Sequence, residues 1–147
     1  MKHLTLAIAA MVMAFGIGSF EASAQTSTNT PSAVYHFDDA SVQALRGLRA
    51  ARNQLDAVPG TDLTLVAHAD GVGMFMSGAR DAKTGVEFAP LIADLRSRGV
   101  EIYVCELTLE LNGLNKDAFI LEADFTPSGV GKITELQQAN GYAYIKP

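Results

Sequence analysis

The chain has 147 residues with 11 basic and 16 acidic side chains, a formal charge of −5, 48% hydrophobic residues and one cysteine. That length holds one ordinary domain core and is too short for two. Nothing forms a basic stripe able to release counterions from phosphates, so nucleic acid is not an expected partner; a lone cysteine rules out an intrachain disulfide.

At the amino end, Lys2 and His3 precede an apolar stretch from Leu4 to Phe20, followed by Ala22-Ser23-Ala24, the small-x-small pattern of signal-peptidase sites. A membrane anchor is the competing reading of that run, but Gly16-Ile17-Gly18-Ser19 interrupts it. Residues 1–24 are therefore expected to be a cleaved signal peptide, with the mature chain periplasmic or secreted and no membrane association after cleavage. Lys2 and Glu21 leave together, so the charge balance is unchanged. Residues 25–32 are rich in Ser, Thr and Asn and read as a flexible leader, and 33–147 as the domain.

Ala33 to Phe37 is predicted as a strand. Asp38-Asp39-Ala40-Ser41 then offers capping oxygens to a helix with Val42, Leu45, Leu48 and Leu55 on its inner side, ended by Pro59-Gly60. Arg46, Arg49 and Arg52 fall on the outer side, where Arg52 is spaced to pair with Asp56. A second strand, Leu63 to Ala67, stops at His68, and Ala69 to Gly78 reads as a loop opening into a short glycine-interrupted helix. Pro90 and Gly99 frame a helix with Leu91, Ile92 and Leu95 inward. The run Val100 to Val104 is a third strand ending at Cys105.

Glu106 to Asn112 is expected to form a brief helix closed by Gly113, and Asn115 to cap a turn through Phe119. Phe125-Thr126 is a small fourth strand. Pro127-Ser128 starts a last helix with Val130, Ile133 and Leu136 on one face, Asn140-Gly141 stops it, and Tyr142 to Ile145 closes the domain as a strand. Alternating strands and helices predict an α/β fold with a mainly parallel sheet of about five strands, covered on both faces.

In such sheets ligands bind beyond the carboxyl ends of the strands, where His36, His68 and Cys105 fall. His36 lies within its strand and equally suits hydrogen-bonded packing. His68 precedes Gly71 and Gly73, whose backbone amides are candidates to approach an anion. Gly71-x-Gly73 lacks the third glycine of a nucleotide fingerprint, and no Gly-Lys-Ser/Thr follows, so no nucleotide cofactor is expected. Cys105 is open to three readings: buried and inert, paired between chains, or chemically used. The start of a helix favours its thiolate, whereas Glu101, Glu106 and Glu110 would oppose it if turned inward.

Three stretches carry a resemblance: Leu65-Val66-Ala67-His68-Ala69-Asp70-Gly71-Val72-Gly73-Met74, Gly99 to Leu109 with its Gly-Val-x-x-x-x-Cys-Glu-x-Thr pattern, and the terminal Gln137-Gln138-Ala139-Asn140-Gly141-Tyr142-Ala143-Tyr144-Ile145. Together they resemble the DsrE/DsrF-like sulfur-relay family in its small exported branch. The resemblance implies a three-layer α/β/α sandwich assembled as a homo-oligomer, a trimer or hexamer. It also implies a cysteine that carries sulfur as a persulfide, a position that maps onto Cys105. Partners would be a sulfur donor or acceptor protein or a small thiol, with His68 as acid or base and Gly71 to Gly73 as a cradle for the departing anion. Leu107 departs from the pattern, since exported relatives carry an amide there. The alternative is a non-catalytic oligomeric module that binds a small ligand, or a metal through His36, His68 and Cys105 with Met74 and Met76. No tight metal-ligand spacing occurs, and no resident metal or cofactor is expected.

Overall fold

The computed structural model describes residues 30–147; the expected signal peptide and most of the leader lie outside them. Five strands, β1 (Ser32–Phe37), β2 (Asp62–Ala67), β3 (Glu101–Cys105), β4 (Asp124–Thr126) and β5 (Ala143–Ile145), form one sheet in the order β4-β3-β2-β1-β5. Every pairing is parallel. The helices are α1 (Ala40–Ala57), α2 (Ala89–Ser97), α3 (Glu106–Asn112) and α4 (Gly129–Asn140), with 3-10 turns at Ala69–Phe75 and Lys116–Ala118. The segment after His68 is thus a 3-10 turn from its first residue. No helix among the described residues is long and apolar enough to cross a membrane.

The two-residue period of each strand sorts the core into unequal halves. Ala33, Tyr35, Phe37, Leu63, Leu65, Ala67, Ile102 and Val104 join the larger cluster, which includes residues of α1, α2 and the 3-10 turn at Ala69–Phe75. Val34 and Val66 face the other way, onto Ile133 and Leu136 of α4, with Tyr103 and Tyr142 beside them. His36, Tyr103 and Cys105 share the parity of that thinner layer.

Helix α1 buries a stripe rotated from the expected one: Gln43, Ala44, Gly47, Leu48, Ala51 and Leu55. Val42 is 55% exposed because it lies about 200° round the helix from Ala44. Small residues bring the helix close to the sheet. A β-carbon on Gly47 would stand 2.4 Å from the Phe37 ring. Asp39 caps α1 by accepting from the Ser41 amide, as expected, while the buried Gln43 Oε1 accepts from the Asp38 and Asp39 amides at 2.8 Å each. Asp56 pairs with Arg98 rather than Arg52, and Arg46 donates to the Pro147 carbonyl. In α4, Ile133 and Leu136 pack inward, but the inner position one turn earlier belongs to Gly129, which leaves Val130 58% exposed.

Candidate functional site

Cys105 ends β3 and is the N-cap of α3, with its sulfur turned toward the α4 layer at 5% residue exposure. Burial pushes the thiol up. Against it stand the amide of Gly129, the hydroxyl and amide of Thr108 and the amide of Leu107, and together they prevail, leaving the thiol below its ordinary value. These dipoles favour the thiolate although none closes a capping hydrogen bond on the sulfur. The three carboxylates are engaged elsewhere: Glu106 forms an ion pair with Lys116, Glu101 accepts from the Tyr103 hydroxyl at 3.3 Å, and Glu110 is exposed.

Thr108 ties two elements together. Its Oγ1 accepts from the Ala69 amide at 3.1 Å, and Ala69 carries a φ of +47°, uncommon for a residue with a side chain. One hydroxyl therefore secures the strained residue after His68 while facing the thiol. Gly129 is equally constrained. A β-carbon there would meet the His68 Cβ at 3.1 Å, the Cys105 Cβ at 3.2 Å and the Ala67 carbonyl at 3.3 Å, so only glycine brings this amide in without displacing them.

The histidines meet each other. His36 Nε2 lies 2.6 Å from His68 Nε2, and His36 Nδ1 lies 2.6 Å from the Tyr144 hydroxyl on β5. The ring planes differ by 27° with centroids 4.7 Å apart. That centroid separation with so short a nitrogen gap means the rings meet tip to tip rather than face to face. His36 is thus hydrogen-bonded, and burial, the nearby His68 and Lys146 lower its pKa against the opposing pull of Asp38.

His68 stands beside Cys105 across Gly129, but its ring reaches His36 rather than the thiol. Gly71 does not offer a free amide: it donates to the His68 carbonyl, and a β-carbon there would come within 2.2 Å of the Phe37 carbonyl oxygen. This glycine permits close packing of the 3-10 turn on β1. Gly73 lines a cavity of about 370 Å³ with Ala69, Asp70, Val72, Met76, Asn112 and Leu114. Met74 is buried in the core, and no group of three His, Cys, Asp or Glu side chains among the described residues converges to hold a metal.

The family model for the DsrE/DsrF-like family matches residues 6–147. The chain belongs to that family. Membership suggests a function of the sulfur-relay type. MTH1491, a protein of unknown function from Methanobacterium thermoautotrophicum, is similar at a TM-score of 0.68 and 28% identity, covering 80% of this chain and 99% of its own. The ychN protein from E. coli has a TM-score of 0.62 at 16% identity with the same coverages, a likeness of fold alone. No curated protein matches.

Thr108, Gly129 and Tyr144 were not picked out as site residues from the sequence. Thr108 carried a signal, since it stands three positions after Cys105, where a helix beginning at the cysteine returns toward its N-cap. For Gly129 and Tyr144 the contacts span sequence-distant elements.

Proposed function

We propose that Cys105 carries sulfane sulfur as a persulfide and passes it to an acceptor thiol. The Cys105 thiolate attacks the outer sulfur of a donor persulfide R–S–SH, forming Cys105–S–SH and releasing R–S⁻; an acceptor thiolate R′–S⁻ then takes the outer sulfur, giving R′–S–SH and restoring Cys105–S⁻. No outside oxidant or reductant is consumed. The carrying observation is the sulfur's setting between the Gly129, Thr108 and Leu107 amides and the Thr108 hydroxyl, with its pKa lowered despite burial.

This reading puts the chemistry outside the cytoplasm, on the strength of the apolar run and Ala22-Ser23-Ala24. A homo-oligomer suits the apolar side chains left exposed on α3 and α4, Leu107, Leu111 and Val130. After treatment with an alkyl persulfide, intact mass should show one added sulfur on the wild type and none on Cys105→Ser. An equal gain in both proteins removes Cys105 from the role.

The small exposure of Cys105 favours a second reading, a binding protein of the same fold in which the cysteine is packing. Protection of the thiol from alkylation until the protein is denatured would establish it in place of the carrier.

A further inference from the structure

The proposed transfer creates a proton demand that Cys105 cannot meet. An ordinary alkyl thiol, with a pKa of about 8.5, is protonated at neutral pH, so the R–S⁻ released in the first half-reaction takes up a proton and the R′–SH that supplies the second gives one up. Next to the cysteine stands a hydrogen-bonded chain suited to that traffic: Tyr144, 43% exposed; His36, 9% exposed; and His68, against Gly129 on the other side from Cys105.

Two lone pairs pointed at each other over 2.6 Å repel, so a proton must lie between His36 Nε2 and His68 Nε2. Two arrangements of the neutral chain fill both 2.6 Å contacts. In one, the Tyr144 hydroxyl donates to His36 Nδ1 while His36 Nε2 donates to His68; in the other, His68 donates to His36 and His36 to Tyr144. Interconversion passes both shared protons one step inward, releases a proton from His68 Nδ1 and returns one to the Tyr144 oxygen from solvent, so one proton crosses the chain with no net change of charge. A single extra proton is accommodated across the pair, whereas a second would face like charge at contact distance. The other ionised groups facing the pair, Asp38 at the end of β1 and Lys146 after β5, are bonded to each other at 2.6 Å, and α4 presents uncharged Gly129.

We propose that Tyr144, His36 and His68 form a one-proton relay serving Cys105, protonating the departing thiolate and recovering the proton from the acceptor thiol. The relay rests on the use of Cys105 in thiol exchange. His68 is its inner member, and His36 and Tyr144 are positioning residues acting through it. The balance closes: in the first half-reaction the singly charged pair becomes neutral as R–S⁻ becomes R–SH, and in the second it regains its charge as R′–SH becomes R′–S⁻.

The test compares exchange of Cys105 with a dialkyl disulfide, whose leaving thiolate needs a proton, and with an activated aryl disulfide, whose leaving group does not. His36→Gln is expected to slow the alkyl reaction by roughly tenfold or more while leaving the aryl reaction within about twofold. Tyr144→Phe should change the pH profile of the alkyl reaction alone. Equal slowing of both reactions, or of neither, overturns the relay. Nitrogen NMR of the imidazoles provides a readout free of turnover: one proton should be shared between His36 Nε2 and His68 Nε2, and its absence overturns the relay. Failure of persulfide loading with leaving-group selectivity intact removes the sulfur-carrier reading and leaves the relay. A Cys105 inert to both disulfides removes both.

Discussion

At the scale of single residues, Thr108 is the sharpest probe of the site. Its hydroxyl accepts from the Ala69 amide and faces the Cys105 sulfur, so one atom supports both the backbone after His68 and the thiolate. Thr108→Val keeps the shape and removes both functions. We expect the pH midpoint of Cys105 alkylation to rise in that variant and to return in Thr108→Ser; an unchanged midpoint would show that the amides alone set the thiol. The Cys-Glu-x-Thr spacing carried a signal of this pairing, although Thr108 was not picked out from it. The tyrosine on His36 was hidden, because Tyr144 lies 108 positions away and only strand order makes them neighbours.

At the scale of elements, α4 has two tasks. Ile133 and Leu136 cover the sheet, and Gly129 delivers its amide to the sulfur, so the first turn of this helix is set by its approach to Cys105 as much as by packing on the sheet. Ser128 anchors that turn by accepting from the Gly131 amide at 3.1 Å. Ser128→Ala should lower stability to urea by about 1 kcal/mol. A loss well outside that range would mean that the serine does more than cap. The helix boundaries were legible because Ser128, Asp39, Asn115, Gly113 and Gly141 act locally. Inner faces were less so: small residues, Ala44, Gly47, Ala51 and Gly129, occupy the closest approaches, and a search for large apolar side chains chose Val42 and Val130 instead.

At the scale of the whole molecule, alternation of strand and helix made the parallel sheet and its five strands readable. The sequence did not reveal how unequal the two layers are. Strand parity places His36 and Cys105 beneath the thin α4 layer, and the same parity, extended one step past β2, carries His68 there. Burial of His36 couples this site to acid stability. Its folded pKa lies below the unfolded value, so the unfolded chain takes the proton first as pH falls through the ordinary histidine range of about 6.5. The stabilisation is complete above that range and lost below it. The melting temperature should therefore drop between pH 7.5 and 5.5, and His36→Gln should flatten that part of the curve; an identical slope in the variant would assign the loss to other groups.

Laying β5 beside β1 has a kinetic consequence as well. Contacts between segments so distant along the chain require a large loop to close and belong to the late events of folding. Tyr144 reaches His36 only when that closure is made, so release of β5 from β1 removes the outer end of the proposed proton path while the β3–α3 junction stays in place. Leaving-group assistance would then vanish on fraying of the last strand, before the thiol's own surroundings changed.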